Sequence, residues 1–269
     1  MTLRDRVRGG EQVSGAMSFE FFSPGVPQLM RLAGAEFLIY DMEHSGVSIE
    51  TLKMQAAACR GLPITPLARP PVSDYHFLAR LLDIGMKGVM VPMVESAEEA
   101  ASIVEACRYP PAGRRGAAFG FAHDDYEPGA PADKIETAND GILVIAQVET
   151  ERGLDAAEEI AAVDGIDVLW IGQFDLTNFL GVPGQFDAPV YRDACARITA
   201  AARAHGKALG AMAPNSGWAR DYRTPRPPAS SSRRSPTSSS ARYLFLSPLS
   251  PQLQHFDPRS VEVAKEIFV

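Results

Sequence analysis

A chain of 269 residues has the length of one (β/α)₈ barrel, and 46% hydrophobic residues suffice for a large core, which excludes disorder over most of it. A formal charge of -7 offers no basic face, which excludes a general binder of nucleic acid or of anionic membranes. An anionic small substrate stays open, because a few local arginines override net charge.

The opening MTLRDRVRGGEQ is charged and lacks an apolar stretch, so it reads as no signal peptide, and no run approaches the roughly 20 apolar residues that cross a bilayer. Cys59, Cys107 and Cys195 are an odd set with no CxxC spacing, each in a helix-like stretch. They read as buried free thiols in a reducing, cytoplasmic setting.

In chain order, short apolar runs alternate with longer amphipathic segments. Strands are expected at 13–19, 36–40, 64–68, 88–92, 142–148, 168–171, 207–212 and 243–246. Helices are expected at 26–33, 49–60, 75–84, 97–107, 153–161 and 190–205. Several strand runs are unbroken Val/Ile/Leu stretches, as parallel strands covered on both faces require. Ser48 before Ile49-Glu50 and Ser96 before Ala97-Glu98-Glu99 are N-cap positions with acid in the first turn. Strand–helix alternation with eight strands predicts one α/β domain, a TIM (β/α)₈ barrel.

Two stretches break the rhythm. Residues 109–140 read as a long loop with one short helix, and a loop of that length belongs to a site or a subunit contact. Residues 223–242, RTPRPPASSSRRSPTSSSAR, contain no Val, Ile, Leu, Met, Phe, Trp or Tyr. Burial offsets none of the ordering entropy there, so the segment is expected to be disordered or poorly packed. Three origins stay open: a surface insertion between strands seven and eight, a basic regulatory tail, or an altered reading frame. The last follows from the preference for Arg over Lys, a mark of GC-rich coding, which out of frame yields Arg, Pro and Ser.

In such a barrel, chemistry sits where strands end at their carboxyl termini. Strand two leads into Tyr40-Asp41-Met42-Glu43-His44, strand three ends in Arg69, strand five runs into Gln147 and Glu149, and strand six precedes Gly172-Gln173-Phe174-Asp175. Glu149 and Asp175 are hard oxygen donors on consecutive strands. With waters and a bidentate 2-oxo acid they complete an octahedral shell of the kind Mg²⁺ or Mn²⁺ prefers, while His44 keeps softer ions such as Co²⁺ open. The plainer alternative has Glu149 capping the helix near Gly153 and Asp175 capping a turn. His44 is the candidate general base, directly or through one water, and Arg69 either steadies an enolate oxygen or forms a salt bridge. His76, His123, His205 and His255 read as surface residues, and Arg114-Arg115-Gly116 as a solvated loop.

Six segments stand in order: Tyr40-Asp41-Met42-Glu43-His44, Leu67-Ala68-Arg69-Pro70, Val91-Pro92-Met93-Val94, Arg108-Tyr109-Pro110-Pro111-Ala112-Gly113, Gln147-Val148-Glu149-Thr150 and Ile171-Gly172-Gln173-Phe174-Asp175-Leu176. Together they resemble the HpcH/HpaI family of class II pyruvate aldolases over about residues 12–220. The resemblance implies a TIM barrel, a divalent metal and a pyruvate enolate. It implies Glu149 and Asp175 as metal ligands, Arg69 holding the pyruvate oxygen, and His44 as acid–base residue acting through a water on the metal. Asp83 would orient His44, Gln147 would line the pyruvate site, and Gly172 with the backbone at Phe174 would contact the pyruvate carboxylate.

The implied reaction is cleavage of a 4-hydroxy-2-oxo acid into pyruvate and an aldehyde. The implied partners are those small molecules and copies of the chain itself, a hexamer in the family, with no nucleic acid and no membrane. Gly172-Gln173-Phe174-Asp175 departs from the family's usual Gly-Pro-Ala/Asn-Asp, and the run 175–186 is closer to a branch resembling macrophomate synthase, which decarboxylates oxaloacetate. Past Asp221 the family's eighth strand and last helix are not recognisable. Oxaloacetate decarboxylation, citrate-lyase-like cleavage, and an inactive barrel or scaffold subunit therefore stand as alternatives.

Overall fold

The computed structural model describes residues 1–213 and the strand at 243–246; residues 214–242 and 247–269 lie outside the described residues, and the expectations for 223–242 fall there. The strands are β1 (Val13–Ser18), β2 (Phe37–Asp41), β3 (Thr65–Arg69), β4 (Gly88–Val91), β5 (Leu143–Val148), β6 (Val168–Ile171), β7 (Ala208–Met212) and β8 (Tyr243–Leu246). All neighbouring pairs are parallel, and the backbone of β8 pairs with both β7 and β1. The architecture is α/β and TIM-barrel-like, a curled parallel sheet wrapped by helices.

The helices are α1 (Leu3–Arg8), α2 (Val26–Leu32), α3 (Ile49–Cys59), α4 (Tyr75–Asp83), α5 (Ala97–Cys107), α6 (Pro131–Gly141), α7 (Glu151–Asp155), α8 (Ala157–Ala162), α9 (Gln173–Phe179) and α10 (Pro189–Ala204). Ser48 and Ser96 cap α3 and α5 as expected, accepting from the backbone N–H of Thr51 and Glu99. Helix α1 was not foreseen, and the single helix expected at 153–161 is divided at Ala156 into α7 and α8. Inside the long loop, α6 runs 11 residues with none of them buried, so no apolar periodicity announces it.

Strands β2, β4, β5 and β6 are buried on both faces, and period-2 alternation sorts the side chains of β1 to β7 into two cores. Leu38, Tyr40, Val144, Ala146, Val148, Leu169 and Ile171 pack outward against the helices. Phe37, Ile39, Leu67, Leu143, Ile145, Val168 and Trp170 fill the interior together with Leu3 and Val7 of α1. Space inside is tight: a Cβ at Gly210 would fall 2.1 Å from the Trp170 ring.

The amino end of the interior is sealed by a charged plug. Arg4 Nε donates to both oxygens of buried Asp167 at 2.9 Å, and its Nη1 donates to the carbonyls of Asn139 and Asp140. Asp167 also accepts the Val144 N–H, with Arg108 Nη2 3.7 Å away.

Three burial assignments need correction. Arg115 does not solvate a loop: it is 2% exposed, lies over the Tyr109 ring and pairs with Asp83 at 2.7 Å. The cause is Gly113, where a Cβ would meet the carbonyls of Arg108 and Glu105 at 2.5 Å, so the backbone folds back onto α5. Both ring nitrogens of His123 are shielded from solvent. Cys59 and Cys107 are buried free thiols, pushed up to about 11 by burial, but Cys195 is only partly covered.

Candidate functional site

Parallel pairing places Asp41 beside Arg69 at the carboxyl ends of β2 and β3. Asp41 is fully buried and accepts Arg69 Nε at 2.6 Å. The same carboxylate accepts the backbone N–H groups of Glu43 and His44, both at 3.1 Å, which fixes the turn that carries His44. Glu43 lies 3.1 Å from Arg69 Nη1 and 3.7 Å from His44 Nε2. Arg69 thus has two of its donor nitrogens committed to carboxylates, and the Phe19 ring sits 5.9 Å from its guanidinium carbon. Such a fork holds its position without reorganising when a substrate arrives.

On the other side, β5 and β6 pair Val148 with Ile171, so Glu149 comes next to Gly172. A Cβ at Gly172 would sit 2.1 Å from Glu149 Oε2, so any other residue would displace the carboxylate. Glu149 accepts from the Met93 N–H at 2.8 Å and from Gln147 Nε2 at 2.5 Å. Met93 reaches it from a left-handed backbone, φ 52°, a conformation that costs a non-glycine residue about 1–3 kcal/mol. Glu149 does not cap the following helix; the Thr150 hydroxyl does, accepting the Gly153 N–H. Asp175 stands in the first turn of α9 instead of at its cap, which is Gly172.

Arg69, Gln147, Glu149, Gly172, Phe174 and Asp175 line one pocket, so six of the eight residues singled out from the sequence converge. His44 stands at its edge, half-exposed, with Glu43 bridging it to Arg69. Asp83 is not brought to His44 within the chain. It ends α4, just ahead of the first residues of β4, and is therefore at the opposite end of the strands, paired with Arg115.

Burial pushes the Glu149 carboxyl up to about 7, and the charges of Asp175 and Glu43 add to the rise. A buried carboxylate that resists ionisation beside a second one is a place that favours a cation. Among the described residues no three or more His, Cys, Asp or Glu are placed to hold a metal ion together, and the carboxylates lining this pocket are those of Glu149 and Asp175. These are hard oxygen donors and suit a divalent ion that takes its other ligands from water and substrate. Gln147 Oε1 and both polar atoms of the Gln173 side chain are buried without a hydrogen-bond partner, on the wall of the same pocket. Buried polar atoms in that state await a polar ligand or water. Gln173, Met93 and the clamping roles of Asp41 and Glu43 were not assigned from sequence. Asp41 was accessible by period 2 from Ile39; Met93 acts through its backbone, which no residue type announces.

Comparison with known proteins gives the family. The sequence profile of the HpcH/HpaI aldolase/citrate lyase family matches residues 21–224. The hydroxypyruvate/pyruvate aldolase of Roseovarius nubinhibens is 37% identical over 82% of this chain and 86% of its own. The 5-keto-4-deoxy-D-glucarate aldolase of Salmonella paratyphi C is 36% identical over 74% of this chain and 77% of its own. The crystal structure of an HpcH/HpaI aldolase from Desulfitobacterium hafniense superposes with a TM-score of 0.80 at 27% identity, covering 99% of this chain and 97% of the other. A profile match across most of the chain, together with aldolases 36–37% identical over most of it, identifies it as a member of the HpcH/HpaI aldolase/citrate lyase family and a carbon–carbon lyase.

Proposed function

We propose that the chain is a class II aldolase that cleaves 4-hydroxy-2-oxo acids, reversibly, into pyruvate and an aldehyde. The observation that carries this is the convergence of Glu149, Asp175 and Arg69 on one pocket, two hard carboxylates facing a clamped guanidinium. Glu149 and Asp175 would hold a divalent ion, Mg²⁺ or Mn²⁺ with Co²⁺ as a further candidate. When bound, such an ion polarises the 2-oxo group and stabilises negative charge on its oxygen.

The chain's own residues supply the rest. Arg69 directs its remaining N–H donors at the 2-oxo oxygen, where charge develops as the C3–C4 bond breaks. His44 takes the proton of the 4-hydroxyl, directly or through one water, as that carbon becomes the aldehyde. The electron pair of the broken bond passes to C3, giving the pyruvate enolate, and a proton returned to C3 completes pyruvate. The amides of Gln147 and Gln173 and the backbone from Gly172 to Phe174 orient the 2-oxo acid. A complete TIM (β/α)₈ barrel, and a cytoplasmic homo-oligomer, belong to the same proposal. Leu29 and Leu32, exposed on α2, are candidates for the contact between copies.

The test is pyruvate release from a panel of 4-hydroxy-2-oxo acids, with oxaloacetate in parallel, after EDTA treatment and repletion with Mg²⁺, Mn²⁺ or Co²⁺. Release restored only by metal, and faster from the hydroxy acids than from oxaloacetate, is expected. Full release from chelated protein contradicts the metal's role, and release from oxaloacetate alone contradicts the aldolase.

A further inference from the structure

We infer that the aldehyde partner is uncharged and packs an apolar face on Phe174, an inference that rests on the pyruvate chemistry proposed above. Among the described residues lining the pocket, Arg69 is the only cation, and Asp41 and Glu43 already hold it. Glu149 and Asp175, on the other side, are the pair proposed to hold the divalent ion, whose charge they balance. A 2-oxo acid brings one carboxylate and occupies the remaining guanidinium and amide donors. An aldehyde with a carboxylate of its own would find, among the described residues lining the pocket, no cation free of a partner, an arrangement that disfavours it.

The apolar side of the pocket is correspondingly well built. Met17, Met90 and Met212 line it, and Phe174 stands at its mouth, 53% exposed, next in sequence to Asp175. The Phe174 ring is not loose. It meets Phe186 edge-to-face, with centroids 5.3 Å apart at 84°, and Phe186 meets buried Tyr191 at 5.8 Å and 70°. A half-exposed ring held by two further aromatic rings is a pre-organised wall, able to stack against a flat or aliphatic group without an ordering cost.

The experiment measures kcat/KM in the synthetic direction for the metal-loaded protein with pyruvate and either benzaldehyde, propanal or succinic semialdehyde. Exchange of the pyruvate methyl protons with deuterium, without aldehyde, is followed alongside. Benzaldehyde and propanal are expected to exceed succinic semialdehyde by about tenfold or more, the scale on which an apolar pocket discriminates. Phe174→Ala is expected to lower the benzaldehyde-to-succinic-semialdehyde ratio about tenfold, mainly through the aldehyde KM, and Phe174→Leu, which keeps an apolar wall, by about threefold or less. Equal use or preferential use of succinic semialdehyde while exchange proceeds overturns this inference alone. An unchanged ratio in Phe174→Ala overturns the role of Phe174. Absence of metal-dependent exchange in the unmodified protein overturns the pyruvate chemistry and the inference with it.

Discussion

Glu149→Gln is expected to slow metal-dependent exchange of the pyruvate methyl protons by about 10³-fold while leaving the protein folded. The substitution keeps the size of the side chain, and its carbonyl oxygen still accepts the Met93 N–H. It removes the negative charge and turns an amide nitrogen toward Gln147 Nε2, itself a donor. Because Glu149 is buried and its ionisation is already opposed by its surroundings, neutralising it does not threaten the fold. Asp175→Asn is expected to act in the same direction. Since both residues serve one ion, the double variant should lose little beyond the larger single loss. NMR of the pyruvate methyl signal in deuterium oxide, with circular dichroism as the control for folding, checks this. An exchange rate within about threefold of the unmodified protein would remove Glu149 from the chemistry.

Asp167→Ala is expected to produce the largest loss of stability, about 3–5 kcal/mol. Among the described residues Asp167 is the one carboxylate paired with Arg4 and Arg108, whose side chains are 7% and 4% exposed. Removing it leaves guanidinium charge buried without its partner and frees the Val144 N–H at the start of β5. For a chain of this size the loss corresponds to roughly 10 °C in melting temperature. Thermal and urea unfolding measure it directly, and a change below about 1 kcal/mol would show that the plug is not a stabilising element. Asp167 lies at the amino end of the strands, away from Glu149 and Asp175, so activity of the surviving folded fraction should be unaffected.

Much of this arrangement is written in the alternation of the strands. Ile39, Leu67, Ile145 and Trp170 point into the interior. Two residues further along the same strands stand Asp41, Arg69, Gln147 and Gly172, and two beyond Gln147 stands Glu149. Where an inward position passes from apolar to polar at a strand's carboxyl end, the core has given way to the site. Strand positions were accordingly legible to within a residue, since unbroken Val/Ile/Leu runs have few other uses.

Other parts were not legible, for identifiable reasons. The helix expected in the long loop, α6, had no bounds to read, because it lies on the surface without a buried face. Helix α1 is short, and its two apolar residues, Leu3 and Val7, matter only because a barrel end receives them. Asp83 was assigned to His44 by resemblance, and only its distance along α4 from the carboxyl rim shows that the two do not meet within one chain. Arg115 looked solvated because residue type carries no information about the turn at Gly113 that folds it inward.

One titration bears most directly on the whole: Mn²⁺ binding to the EDTA-treated protein, followed by electron paramagnetic resonance, with and without pyruvate. One ion per chain is predicted, held more tightly when pyruvate is present, with affinity lowered by about 100-fold or more in both Glu149→Gln and Asp175→Asn. Binding of equal strength in the unmodified protein and in both variants would contradict a shared ion between these two carboxylates.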